Sequence, residues 1–556
     1  MFSSPGATLP DFGTVADRIH LHAHQAPARP ALICQGQTLD YQSLDAQVSQ
    51  LAARLQQAGV QPRQHVALCG AASLPYVVAF LGILRAGAAA VPLPPSATAV
   101  SLMAMLLDAQ AVLCFVDAAV ADELADAVAA ELAPKLASGL AAGSASASAQ
   151  RAPALVVLDP CTQGAHTTEP RWPNFQSWLA QAPAAPAPVQ VTPQDPFNLI
   201  YSSGTTGRPK GIVQPHAMRW AHIQRSLRYG YGPESVTLVS TPLYSNTTLV
   251  SFIPALAMGG TVCLMPRFDV IGYLELAQTH RATHSMLVPV QYQRLMAHPR
   301  FDEFDLSSFQ MKFCTSAPFA AALKADVLAR WPGGLVEFYG MTEGGGTCLL
   351  EAHHHPDKLH TVGNAAPGSD LRLIDEQGLE LPPGCNETGE VVGHSGGMMT
   401  GYYGLPEQTR EAEWFDASGK RFIRTGDIGR FDADGFLTLL DRKKDMLISG
   451  GFNVYPSDLE AVLRQHPEVI DASVVGVPSA AWGETPVGFV VLRQAHPQLQ
   501  SLEPLQNLLT LLAWANARLG KTQRLSALHA IDELPRSAIG KVLKRELRQR
   551  LGEASR

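Results

Sequence analysis

Residues 201–211 read YSSGTTGRPKG, with five hydroxyls, three glycines, an arginine and a lysine in eleven positions. The apolar run DPFNLI precedes them and IVQPHAMRW follows, so the stretch reads as a loop leaving a strand. Its glycines let the backbone approach a ligand and turn amides inward, and its hydroxyls add neutral donors. Lys210 and Arg208 add positive charge, and together these groups suit a polyphosphate. The spacing Gly204-x-x-Gly207-x-x-Lys210 departs from both the Walker loop and the dinucleotide fingerprint. A flexible surface turn has the same composition, so the rest of the chain has to separate the two readings.

With 556 residues, 46% of them hydrophobic, the chain is long enough for several domains around a large core. Formal charge is −7 with no strongly basic block, which argues against nucleic acid as the main partner. The eight cysteines form no C-x-x-C pair, so they read as reduced thiols of a cytoplasmic protein. The N-terminus MFSSPGATLPDFG lacks the basic start and apolar core of a signal peptide. The most apolar segment, residues 75–94, is broken by Arg85, glycine and proline. It is expected to be a buried helix running into a buried strand, not an integral membrane segment.

Helical spacing over residues 43–58, stopped by Gly59, followed by the strand-like HVALCG, points to alternating helices and strands and an α/β class. The alanine-rich stretch 117–152 ends in a Ser/Ala/Gly tail that reads as a surface insertion. From residue 371 the runs LRLID, GEVVGH and FIRTGDIGRFDADGFLTLL suggest an all-β segment. Beyond 445 the strand-like ASVVGV and VGFVVL alternate with helix-like segments, as in a small α/β domain.

Three further motifs follow the loop in order: YGMTEGG (339–345), RTGDIGRFDADGFLTLLDRKKDMLISGGFNVYPSDLE (424–460) and LPRSAIGKVLKREL (534–547). Their order and spacing resemble the adenylate-forming superfamily: acyl-CoA synthetases, nonribosomal adenylation domains and luciferases. The resemblance implies a large N-terminal domain (1–443) of sheets packed with helices plus a β-rich subdomain. A small mobile α+β C-terminal domain (444–556) would follow. It also implies a two-step reaction. A carboxylate attacks the α-phosphorus of Mg-ATP to give acyl-AMP and pyrophosphate, and a thiol, usually that of CoA, then displaces AMP.

Carried over by motif position, Ser202 to Lys210 would wrap the β- and γ-phosphates, with Thr205 and Thr206 as hydroxyl donors. Thr342 would touch the α-phosphate, and Glu343 would help hold Mg²⁺. Tyr339, with Gly340 beside it, would stack on adenine. Ser316, Ala317 and Pro318 would pass the purine, and Glu337 would face its amino group. Asp427 would accept both ribose hydroxyls, Arg442 would reach the ribose and phosphates, and Lys541 would bridge the attacking carboxylate and the α-phosphate. Lys444 resembles the hinge on which the small domain swings, and Gly450 and Gly451 would leave a channel for pantetheine.

The acyl pocket is less legible. In TPLYSNTT, Ser245 follows Tyr244 where related ligases often carry a histidine. Tyr244, Ser245 and Asn246 are candidates for facing a polar acid, with Gly344, Gly345 and Gly346 leaving room. The hydroxyls and amide suit backbone hydrogen bonds equally well. TPLYSNTTLVSF has no acidic residue to pair an ammonium, which disfavours amino acids. Short or branched, hydroxy, medium-chain and aromatic acids remain open. So do loading of a carrier-protein thiol in place of CoA, and a non-catalytic nucleotide-binding homologue. His353–His355 read as a loop and not as a metal site. A homodimer is the default assembly.

Overall fold

The computed structural model describes residues 9–124, 153–158, 172–202, 210–384, 387–443, 445–449, 452–479, 482–493, 504–520, 523–537 and 540–554. Expectations for Thr205, Thr206, Lys444, Gly450, Gly451 and most of the alanine-rich stretch fall outside these residues.

The N-terminal part is built on two sheets whose strands are mostly parallel in the middle and antiparallel at the edges. One has seven strands, with His65–Cys69, Ala89–Pro92 and Pro196–Ser202 among its inner members. The other has nine and includes Val236–Val239, His284–Leu287, Met311–Cys314 and Gly334–Tyr339 side by side. Strands such as His65–Cys69 and Met311–Cys314 are buried at every position, as expected where both faces are covered.

Helices join the sheets into one core. Tyr41–Gln57 starts where the Asp40 carboxylate accepts the Ser43 amide, and it ends before Gly59 at φ +88°. Leu74–Arg85 is capped by Ser73, carries Pro75 in its first turn, and runs as a buried helix towards strand Ala89–Pro92. Arg85, the charge that interrupts this apolar run, is neutralised by Asp45 at 2.6 Å and bonds Ser49 and the Ala16 carbonyl. The two helices approach closely at Gly82, where a Cβ would come within 2.4 Å of the Leu51 side chain.

A five-stranded antiparallel sheet follows, containing Asp370–Ile374, Gly389–His394, Arg421–Phe431 and Leu437–Arg442. The chain then enters a separate five-stranded sheet beginning with Leu447–Ser449 and centred on the hairpin of Val469–Ser479 with Gly483–Leu492. Helices Pro456–Arg464 and Pro504–Asn516 pack on that sheet around Leu459, Leu463, Leu511 and Ala515. Among the described residues, no helix is long and apolar enough to cross a membrane.

Candidate active site

Parallel strands in an α/β sheet place their following loops along one edge, where ligands bind. Here those loops carry Tyr244–Thr247, Val288, Thr315–Pro318 and Gly340–Glu343. Thr247 and Ser316 bond through their hydroxyls at 2.5 Å, which ties the start of helix Asn246–Ala257 to the TSAP segment. Ser316 holds φ +86°, a left-handed conformation that costs a non-glycine residue roughly 1–3 kcal/mol. The antiparallel strands Pro196–Ser202 and Lys210–Pro215 pair Ser202 with Lys210, so both ends of the glycine-rich loop are fixed side by side.

Three sets of side chains meet along this edge. In the first, Tyr339 donates its hydroxyl to Asp427 Oδ2 at 2.8 Å, and Arg442 Nε lies 2.9 Å from Asp427 Oδ1. Each carboxylate oxygen keeps a second lone pair, so Asp427 retains acceptor capacity for a diol. Asp427 and Arg442 are cross-strand partners on Arg421–Phe431 and Leu437–Arg442, and this register brings the two charges together. In the second set, Tyr402 donates to Glu343 Oε1 at 2.9 Å, and Lys210 Nζ sits 5.0 Å from the Tyr402 ring centre. Burial and the adjacent Glu343 push the Tyr402 phenol up, so it stays a donor.

The third set lies behind Thr342. Gln214 Nε2 donates to the Thr342 carbonyl at 2.6 Å and to Asn246 Oδ1 at 3.3 Å. Gln214 Oε1 accepts from Asn198 and from Arg219, which also donates to Asn198 Oδ1 at 3.0 Å. Arg219 is only 1% exposed. Burial pulls its pKa down to about 9, so the guanidinium remains charged at neutral pH.

Two sequence expectations need correction. Glu337 does not present a free carboxylate to a ligand. It is buried in an ion pair with Lys324, which also donates to the Leu359 and Thr361 carbonyls at 2.8 and 3.0 Å. Burial raises the Glu337 carboxyl to about 7, against the pull of the Lys324 ammonium. Gly344, Gly345 and Gly346 do not open space. A Cβ on Gly344 would lie 2.0 Å from the Gly397 carbonyl, and one on Gly345 would lie 2.9 Å from that of Gly393. Both take positive φ, and their lack of side chain serves a backbone-to-backbone approach.

Among the acyl-pocket candidates, the Ser245 hydroxyl caps helix Asn246–Ala257 by accepting the Thr247 amide at 3.3 Å. Tyr244 is half-buried beside Ser96 and Cys69, and burial raises its pKa. Asn246 is held by Gln214. His353 bonds the backbone of Leu335, and the His355 ring packs edge-on against Phe436, so both serve as packing residues.

Lys541 is exposed on a loop whose amide bonds Ser537 Oγ at 3.2 Å. That loop rests on the N-terminal part. The Cβ position of Gly540 lies 3.0 Å from Val290 Cγ1 and 3.7 Å from Val288 Cγ2. Val288 immediately follows strand His284–Leu287, so the Lys541 loop reaches the edge that carries Thr342 and Glu343.

Sequence reading missed Tyr402, Lys324, Gln214, Asn198 and Arg219. Gln214 and Asn198 leave one signal, as amides at buried positions in otherwise apolar strands. Arg219 leaves another, since it stands between Met218 and Trp220 on a helix with few other reasons to bury charge.

Residues 19–403 match the family model of the AMP-binding enzymes, and residues 458–541 match that of the AMP-binding enzyme C-terminal domain. The chain is 32% identical over 536 residues to a feruloyl-CoA synthase of an Amycolatopsis species, covering 95% of this chain and 97% of the relative. It is 30% identical to the fatty acid–[acyl-carrier-protein] ligase ScoC of Streptomyces coeruleorubidus, covering 98% of each chain. ATP-bound MatB from Rhodopseudomonas palustris superposes with a TM-score of 0.82 at 27% identity, over 97% of this chain and all of that one. The paired Asp427 and Arg442, the Glu343 cluster and the Lys541 loop therefore sit in an AMP-binding enzyme, and the chain belongs to the adenylate-forming superfamily of AMP-forming acid–thiol ligases.

Proposed function

We propose that the protein activates a carboxylic acid as its acyl-adenylate and passes the acyl group to CoA. One observation carries this reading: the Lys541 loop rests on Val288 and Val290, at the edge that gathers Thr342, Glu343 and Lys210. In the first step a carboxylate oxygen attacks the α-phosphorus of ATP, and pyrophosphate leaves with the electron pair of the broken P–O bond. Lys541 brings positive charge to the oxygens that meet there, and Lys210 and the adjoining loop hold the leaving phosphates. Asp427 orients the ribose and Tyr339 the purine. Glu343 would supply a carboxylate to Mg²⁺, which prefers one or two protein oxygens and completes its shell with phosphate and water. Bound there, the ion would offset phosphate charge.

In the second step the CoA sulfur attacks the acyl carbon and AMP leaves. Residues 444–556 move as a unit about Lys444 between the steps, withdrawing Lys541 and presenting Gly450 and Gly451 to pantetheine. The acid is drawn from short or branched, hydroxy, medium-chain or aromatic classes.

The test is pyrophosphate release with Mg-ATP across a panel of carboxylic acids, with and without CoA. Turnover that requires CoA supports this reading. A single burst whether or not CoA is present, followed by turnover on a carrier protein, would replace it with carrier loading, the activity named for ScoC. ATP binding without pyrophosphate release for every acid would indicate a non-catalytic homologue.

A further inference from the structure

Helix His216–Ser226 carries Arg219, His222 and Arg225 at three-residue spacing, which puts them on one face. That face turns inward. Arg219 Nη1 and His222 Nδ1 are buried without a hydrogen-bond partner. Arg225 lays its guanidinium over the Phe338 ring, 5.2 Å from the centroid. No carboxylate among the described residues forms an ion pair with any of the three. Burial lowers the pKa of each, and Arg219 and Arg225 depress His222 further. An isolated buried charge is costly, and large cores normally supply a counter-ion.

The placement of this face relates it to the reacting centre. Arg219 bonds Gln214, and Gln214 holds the Thr342 carbonyl and Asn246. Phe338 precedes Tyr339 in the same strand, so its side chain leaves the sheet on the opposite face from Tyr339. The cationic face thus begins behind Thr342 and extends away from the nucleotide side, past Phe338. Arg219 is sealed, whereas His222 and Arg225 keep partial exposure.

We propose that the acid activated here carries a second carboxylate, remote from the reacting one, that pairs with Arg225 and accepts a hydrogen bond from His222. The substrate class is then a dicarboxylic acid, and the inference rests on the acid-activating reading above. A monocarboxylic acid would leave the Arg225 cation unpaired behind it. A distal carboxylate replaces the missing counter-ion and fixes which end of the acid faces ATP.

The experiment uses the full-length enzyme with Mg-ATP and CoA. Pyrophosphate release is compared within pairs: α,ω-dicarboxylic acids and benzenedicarboxylic acids, each beside its analogue with a methyl or amide in place of the distal carboxylate. The dicarboxylic member of at least one pair is expected to have a kcat/KM at least about tenfold higher. Arg225→Met should reduce that ratio by at least about tenfold, and Arg225→Lys should keep part of it. Analogues that match or exceed the dicarboxylic acid in every pair overturn the inference alone, because acid activation is then intact. An unchanged ratio in a folded Arg225→Met protein, checked by its melting temperature, also overturns it. If the variant does not fold, the wild-type ratio decides. Absence of pyrophosphate release with every acid removes the functional reading and the inference together.

Discussion

The two faces of strand Gly334–Tyr339 handle charge differently. On one face Glu337 is matched by Lys324, and Tyr339 leads to Asp427, which is matched by Arg442. On the other, Phe338 meets Arg225, and Arg219 bonds the side-chain amides of Asn198 and Gln214, with no carboxylate paired to Arg219, His222 or Arg225 among the described residues. The first face is internally balanced, so it can be assembled without a ligand. The second is left with positive charge that the protein itself does not offset. A balanced face suits a nucleotide that every turnover brings in the same form, with the ligand bonding spare acceptor capacity on Asp427. An unbalanced face makes binding depend on the charge of what enters.

The largest test addresses the balanced side. Lys541→Ala should cut adenylation on the order of 10²–10³-fold, the usual loss for one cation or donor aimed at developing charge. Thioester formation from supplied acyl-adenylate should be largely retained, because Lys541 is proposed to withdraw before that step. Equal losses in both half-reactions would show that the lysine supports the fold or both states, and the assignment of Lys541 to one step would fall.

The unbalanced side is tested through Arg219. Arg219→Met removes a buried cation but strands Asn198 Oδ1, an acceptor that costs roughly 1–3 kcal/mol when left unpaired, while Gln214 Oε1 keeps the Asn198 amide as donor. A stability loss of about 1–3 kcal/mol is expected in denaturant unfolding. Replacing all three with apolar residues, as Asn198→Ala, Gln214→Leu and Arg219→Met together, should recover much of that loss, because the stranded oxygen leaves with the charge. If the triple variant is no more stable than the single one, the network contributes packing that this accounting lacks. The Thr342 carbonyl and Asn246 lose Gln214 in the triple variant, so its activity should fall even where its stability returns.

The contrast also separates what could be read from the sequence. Asp427, Arg442, Thr342 and Glu343 stand in motifs whose order names them, and the local register of Arg421–Phe431 with Leu437–Arg442 then brings two of them together. The helix and strand over residues 75–94 were legible because buried helices need long apolar runs, and Arg85 was an exception with a partner in Asp45. Glu337 was misread because its partner, Lys324, lies on a helix that no local pattern ties to the strand. The glycines at 344–346 were misread for a related reason. Their constraint is the backbone of 393–398, about fifty residues away. Arg219 and Gln214 were invisible as a pair because only the packing of a helix on the preceding strand joins them.

Asp427→Asn sharpens the balanced side further. The asparagine keeps one acceptor but loses the charge that pairs Arg442 and strengthens a bond to a ribose hydroxyl. About 2 kcal/mol, roughly thirtyfold in kcat/KM for ATP, is expected. AMP stays bound through both steps, so this variant should also slow thioester formation from supplied acyl-adenylate. That pattern is opposite to the one expected for Lys541→Ala. A loss confined to adenylation would mean that Asp427 acts on the phosphates and not on the ribose.

The smallest effect concerns Ser245, which sits where the two sides meet. Its hydroxyl accepts the Thr247 amide and starts helix Asn246–Ala257, and the first turn of that helix presents the Thr247 hydroxyl to Ser316. As a helix cap it should contribute about 1 kcal/mol, so Ser245→Ala should lower the melting temperature by a few degrees. A hydroxyl that instead bonds the acid would show a different pattern, with the melting temperature held and KM for the acid raised. The two outcomes bear on the unbalanced face as well. If Ser245 only caps, that loop has one neutral hydroxyl fewer to recognise the acid, and Arg225 and His222 carry more of the selection. If Ser245 binds the acid, part of the recognition lies close to the reacting carboxylate, and Arg225 and His222 select less sharply.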